Sequence, residues 1–401
     1  MSAAAARDGL PGAIWAQTAC DACLRRARLL ALVAGGIEIA HGRRRPIRDV
    51  LALDDEALLQ AVSGGTGVQG LRERLAAGSG FALLAAAAEA RVEVLCRHTA
   101  DYPARLADDR AAPSALFVRA GEDGRARLTE LVGAAGSVAP PPAVAIVGTR
   151  RASPEGLEIA RALGRGLASA GVTVVSGMAL GVDSAAHAGA LEVGGPTVAV
   201  LAGGADVPYP ASKRRLYTAI LEAGGAVVSE MPPGFRAFKW NFPARNRIIA
   251  ALAPATIVVE AAERSGSLIT ADLALDLGRD VGAVPGPVQS WRSRGTNALL
   301  RDGAILIRDA HDALDLVLGV EGAALARGRA AATNVPPPAR LRPELLALLA
   351  AVEDGRDTVA ALAPDAAGAA AVRAGLMELE LLGLVRRAPA GRVVRTTRAV
   401  A

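Results

Sequence analysis

The chain has 401 residues, 52% of them hydrophobic and 21% charged, with a formal net charge of +5; that is enough for two or three domains with real cores and excludes general disorder. No apolar run approaches the roughly 20 residues of a spanning helix, and MSAAAARDGLPG lacks the basic start and apolar stretch of an export signal, so a cytoplasmic protein without a membrane segment is expected. The basic residues are all arginine except Lys213 and Lys239, a bias that genomic base composition explains and that permits a nucleic-acid partner without requiring one.

In chain order, residues 1–96 show helical periodicity in Ala, Leu and Arg, broken by glycine clusters such as SGGTGVQG, and predict a small helical domain of the SAM or helix-hairpin-helix kind. Its Gly65-Thr66-Gly67 turn is either a plain interhelical turn or a phosphate grip. The three cysteines argue against a disulfide framework. Cys20 and Cys23 form a CxxC, but no second pair and no neighbouring His completes a tetrahedral set. Two thiols on an N-terminal helix are therefore expected, and no metal.

Residues 97–318 are read as a Rossmann-like core. From 143 onward, short β-branched runs alternate with helical stretches: AVAIV (143), VTVV (172), TVAVL (197), AVVSE (226), ATIVVE (255), VGAVP (281) and AILI (304). This alternation predicts a parallel sheet covered by helices on both faces. Ser153-Pro154 and Ser212 mark helix starts, and Gly171, Gly224 and Gly278 mark stops. The small, proline-rich stretch AALARGRAAATNVPPPAR places a linker over 319–340. Residues 341–401 then offer three helices followed by GLVRRAPAGRVVRTTR, a two-stranded ribbon; that order suggests a winged helix.

Ligands of open parallel sheets bind outside the carboxyl ends of the strands, and the segments that follow these strands are rich in glycine, hydroxyl and basic residues. In GTRRAS, Gly148 permits a tight turn, Ser153 and Pro154 start a helix whose free amides attract an anion, and Arg150 adds a formal charge. Amides alone suffice for a small nucleotide, whereas extra arginines suit a passing polyanion; the alternative is a local salt bridge of Arg150. Lys213, Arg214 and Arg215 open a helix, where cations oppose the dipole, so either an anion or plain solvation answers for them. GFRAFKWNFPARNR places Phe235, Phe238, Trp240 and Phe242 among Arg236, Lys239, Arg245 and Arg247, in a chain with only eleven aromatics. Stacking faces beside cations suit unpaired nucleic acid; Phe242 is assigned to packing, and Trp240 stays open between stacking and packing. Asn246 meets a phosphate, a base edge or a helix end. Asp183 and His187 lack the third group of a triad or ligand set, so a helix cap and a packed residue are preferred.

Taken together, these segments resemble the DNA-processing protein A family (DprA, also called Smf). The resemblance runs over about 100–318, through YPARLADDRAAPSALFVRAG, VGTRRAS, VSGMALGVDSAAHAGAL, GADVPYP, SEMPPG, FPARNRIIAAL, EAAERSGSLITADLALDLGRDVGAVPG and GTNALLRDGA. It implies a protein without established catalysis, cofactor or metal, which binds and protects single-stranded DNA taken up in natural transformation and helps load the RecA recombinase. It also implies a homodimer formed through the Rossmann-like domain. By position, Gly148, Thr149 and Arg150 match the family's phosphate-binding turn and Ser176 and Gly177 its second rim loop. Arg245, Asn246 and Arg247 match FPxRNR, and Ser265, Gly266 and Ser267 the SGS turn. Lys213 stands where the family usually has Asn, Ala211 where some members carry a basic residue, and Ala202 and Ala251 replace common glycines.

The expectation is a single-stranded DNA-binding protein with phosphates along Arg150, Lys213 and Arg247, supported by Arg214 and Lys239, and bases near Trp240. The enzyme alternative is a nucleotide-processing relative using Glu230 or Glu260 beside PGPVQSWRSRGTN. A third possibility is a scaffold whose winged helix does the binding, since the last 19 residues hold five arginines and no acid.

Overall fold

Short runs of β-branched and small apolar residues, buried on both faces, build the sheet. The computed structural model describes residues 19–42, 47–63, 67–121, 123–135, 137, 139–333, 341–354, 356–363, 365, 368–381, 384–387 and 392–395. Within them lie β1 (Glu93–Cys96), β2 (Ala115–Arg119), β3 (Ala143–Val147), β4 (Thr173–Ser176), β5 (Thr197–Val200), β6 (Ala226–Ser229), β7 (Ala255–Val258), β8 (Asp280–Ala283) and β9 (Ile305–Leu306). They form one nine-stranded sheet in the order β1-β2-β6-β5-β4-β3-β7-β8-β9. From β3 to β9 every pairing is parallel, while β1 and β2 extend the β6 edge antiparallel.

This is the expected Rossmann-like α/β sheet, and all seven strand stretches form strands. β1 and β2 carry no strand signal in the sequence, for a physical reason. EVLC is short and continues an Ala-rich apolar pattern, and ALFVR, buried along nearly its whole length, shows no alternation. Chain order runs from β3 out through β4, β5 and β6, then returns to β7 on the other side of β3. A crevice is expected where the order reverses, outside the carboxyl ends of β3 and β7.

Ser153 caps the helix Pro154–Ser169 by accepting from Gly156 N at 3.0 Å. Ser212 does not cap: it lies within a 3-10 turn, Ala211–Lys213, and the next helix begins at Arg214. The N-terminal helices Asp21–Leu32, Ala34–Gly42, Ile47–Leu51, Asp55–Ser63, Val68–Ala77 and Gly80–Glu89 bear out a helical start. They share apolar clusters with the α/β core: Leu24 and Leu83 pack with Val94, Phe117 and Val227 of the sheet, and Leu29, Ile37 and Leu58 with Met231, Trp240 and Ala244. Residues Gly65 and Thr66 of the glycine-rich turn lie outside the described residues.

The CxxC requires a correction. Cys20 precedes the helix Asp21–Leu32 and Cys23 lies in its first turn, but Cys96, at the end of β1, and His98 arrive at the same place. Some 75 residues separate the two pairs, so no local spacing reveals the group.

By internal contacts the chain divides into two units, Met1–Arg327 and Gly328–Ala401. Ala310–Thr333 is helical with a break at Gly319, so the stretch read as linker is helical as far as 333; its alanines are the best helix formers. The second unit holds the helices Pro343–Glu353, Val359–Leu362 and Gly368–Leu381 and the ribbon β10 (Val385–Arg387) with β11 (Val393–Arg395), around Leu345, Leu349, Leu379 and Val393. No helix among the described residues is long and apolar enough to cross a membrane.

Trp240 is fully buried, and its Nε1 donates to Ala34 O at 3.0 Å. Trp240→Ala is expected to lower unfolding free energy by about 3–5 kcal/mol, read as a drop in the denaturant midpoint; an unchanged midpoint contradicts its place in the core.

Candidate nucleic-acid interface

The loop after β3 is pinned across the switch point. Thr149 N donates to Glu260 O at 2.7 Å, and Ser153 N to the Glu260 carboxylate at 2.8 Å. Gly148 is required by close approach, since a Cβ there would sit 2.5 Å from Val182 Cγ2, at the start of the helix Val182–Glu192. Held this way, the loop turns Arg150 outward. Its guanidinium lies over the Phe242 ring, 4.9 Å from the centroid, and Tyr209 lies 5.4 Å from the same ring, an arrangement that favours a cation on an aromatic face.

Three adjoining hollows meet at Arg150. The smallest, about 60 Å³, is lined by Tyr209, Phe242 and Arg245. The second, about 300 Å³, takes in Gly148, Asn246, Ser265, Gly266 and Ser267 at the start of the helix Gly266–Asp276. The third, about 400 Å³, runs along Arg151, Pro154 and Lys213. Among the described residues Arg150, Arg151, Lys213, Arg214 and Lys239 form no ion pair. Ser265 caps its helix through Ser267 N, and its hydroxyl lies 2.8 Å from that of Ser267. The result is a trough with free cations, two helix N-termini and partly exposed rings, which suits a flexible polyanion.

Several expected contacts lie elsewhere. Trp240 is sealed beneath the helix Ala34–Gly42, so no base reaches it, and the ring at the trough is the partly exposed Phe242, the one assigned to packing. Arg247 faces the core from the helix Asn241–Leu252. It is 1% exposed and donates to Glu230 at 2.5 Å, so it carries no phosphate. The cause is helical geometry: Asn246 faces the trough while Arg247, one residue on, turns about 100° inward. Asn246 donates to Gly266 O at 3.2 Å and lines the second hollow.

Arg245 forms the floor. Its Nη1 donates at 2.6 Å to both Gly177 O and Val200 O, and a Cβ on Gly177 would run into that guanidinium. Burial lowers its pKa to about 10, Asp183 opposes the fall and Arg150 adds to it, so the group stays cationic at neutral pH. Burial in turn pushes the Asp183 carboxyl up, against the pull of Arg245. Ser176 is buried and donates to Ile146 O at 2.6 Å, so its hydroxyl serves the sheet rather than a ligand. Lys213 lines the third hollow, whereas Arg214 and Lys239 stand exposed outside all three.

His187 is fully buried, with Nδ1 2.7 Å from Thr197 Oγ1. Burial drives its pKa down to about 3, so it is a packed neutral imidazole. An unfolded His takes up a proton below about pH 6.5, while the folded one resists to about 3. The unfolded chain thus binds more protons in that window, and stability falls as pH falls. His187→Gln is expected to remove a slope of about 1.4 kcal/mol per pH unit between pH 6 and 4; identical slopes in chemical denaturation would refute the buried neutral form. Arg247→Ala, which strands Glu230, is expected to cost about 3–5 kcal/mol, measured in the same way; a loss under about 1 kcal/mol contradicts the buried pair.

The model of the family described as DNA recombination-mediator protein A matches residues 93–318. A putative DNA processing protein DprA of Mycobacterium tuberculosis is 48% identical over 194 residues, covering 48% of this chain and 48% of that one, so the match spans about half the length of that relative. Protein Smf of Synechocystis is 36% identical over 323 residues, 74% of this chain and 78% of its own. The X-ray structure of DNA processing protein A from Streptococcus pneumoniae superposes with a TM-score of 0.55 at 32% identity, over 73% of this chain and 95% of that one. With the family model matched over more than half of its length and a relative matched over more than two thirds, the chain belongs to the DNA recombination-mediator protein A family.

Proposed function

We propose that this protein binds single-stranded DNA without regard to sequence, in the trough that converges on Arg150. The carrying observation is that three hollows share this one unpaired arginine, stacked on Phe242 and flanked by Arg151 and Lys213. Phosphates would meet Arg150, Arg151 and Lys213, with the Arg245 cation beneath, and bases would stack near Phe242 and Tyr209. The relatives' names, DNA processing protein and recombination mediator, support DNA as the ligand.

Binding rather than catalysis is the better reading of the carboxylates. Glu230 is paired with the buried Arg247, and Glu260 pins the loop after β3 through the Ser153 amide, so both have a structural role. In the cell the role would be to protect incoming DNA during natural transformation and to help load RecA, as a cytoplasmic homodimer joined through the Rossmann-like unit. The three helices and ribbon of 341–395 fit a winged helix, an accessory to the trough.

Titration of a labelled oligothymidine and its duplex by fluorescence anisotropy at two ionic strengths tests the proposal. The single strand should bind more tightly, and Arg150→Ala should weaken binding and reduce the slope of log K against log salt by about 0.7, one phosphate's share. Removal of 335–401 should leave single-strand binding in place. An unchanged slope removes Arg150 from the site, and loss of binding on truncation moves the site to the second unit.

A further inference from the structure

Four metal-ligating side chains meet at the junction of the first described helix and the sheet edge, away from the trough. Cys20 and Cys23 come from the start of the helix Asp21–Leu32, Cys96 from the end of β1, and His98 from the turn that follows. Their ligand atoms all lie within 4.8 Å of one another. The Sγ atoms of Cys20 and Cys23 are each 3.4 Å from His98 Nδ1, and Cys20 N donates to Cys96 Sγ at 3.5 Å.

We propose that Cys20, Cys23, Cys96 and His98 form a structural zinc site. With Zn–S near 2.3 Å and Zn–N near 2.0–2.1 Å, tetrahedral angles place sulfur and nitrogen roughly 3.6 Å apart and two sulfurs roughly 3.8 Å apart. The two sulfur–nitrogen distances of 3.4 Å are therefore close to the edges of a zinc tetrahedron. The donor set, three thiols and one imidazole in a C-x2-C and C-x-H arrangement, is that of closed structural sites, with no position left for water or substrate. An amide donating to a ligating sulfur orients it and disperses its charge. A disulfide between Cys20 and Cys23 would use only two of the groups and leave the convergence of Cys96 and His98 without a cause.

Bound there, the metal would fasten the start of the helical region to β1, closing a loop across more than 70 residues. The helix Asp21–Leu32 lies against the apolar cluster of Cys23, Leu24 and Phe117, so the clamp would reinforce an existing contact. Zinc binding would then be linked to folding of this corner, as ligands brought together only in the native state require.

The intact 401-residue chain, purified under reducing conditions from zinc-supplied cells, should carry about one zinc per chain by elemental mass spectrometry. Reconstitution of the metal-free protein with cobalt(II) should give the visible absorption of a tetrahedral thiolate centre. His98 is exposed, so His98→Ala should stay folded and weaken zinc retention against a chelator at least about tenfold; Cys96→Ser should lose stoichiometric zinc. Should the cysteine variant fail to fold, wild type and His98→Ala decide the matter. The proposal is overturned by wild-type protein that holds under a tenth of an equivalent after zinc exposure, by an octahedral cobalt spectrum, or by peptide mapping that finds Cys20 and Cys23 disulfide-bonded in the reduced preparation.

Discussion

Two backbone amides and one glutamate hold the candidate interface open. Thr149 and Ser153 donate from the loop after β3 to the main-chain oxygen and carboxylate of Glu260 at the end of β7, bridging the place where strand order reverses. The bond from Ser153 to the carboxylate, a charged acceptor, contributes roughly 1.5–3 kcal/mol, and the one from Thr149 to the carbonyl about 1 kcal/mol. More important is direction: with both ends of the loop fixed, the two arginines between them, Arg150 and Arg151, stand exposed at the rim. The same anchoring sets the N-terminus of Pro154–Ser169 beside the hollow that Lys213 lines.

Arginine takes two opposite roles within a few ångströms. Arg245 and Arg247 sit on one helix, both buried, and each is held by carbonyls or a carboxylate. A guanidinium removed from water without such partners would be prohibitively costly, so these two serve the architecture. Arg150 and Arg151 are exposed and Lys213 partly so, and it is solvent-facing cations that displace counterions when a phosphate arrives. The aromatic pair Phe242 and Tyr209 beside them supplies stacking surface without sequence preference.

Much of this was legible from residue order. Seven β-branched runs became seven strands, and the rim could be inferred because chemistry gathered after strands rather than before them. What escaped depends on contacts distant in sequence. Trp240 and Phe242 are equivalent as letters, and the choice between them is made by Ala34, 206 residues earlier, which accepts the indole N–H. Arg247 reads as a cation until Glu230 is seen opposite it. The cysteines of the CxxC look isolated because their companions arrive on β1 and the turn after it, and β1 is a strand too short and too apolar in context to announce itself.

Amide hydrogen exchange of the intact protein, with and without saturating oligothymidine, tests the central claim most directly. Strand binding at the switch point predicts slowed exchange at 149–153, 177–184 and 265–268, with little change across 341–395. Protection confined to the second unit, with the rim loops unaffected, would contradict the account.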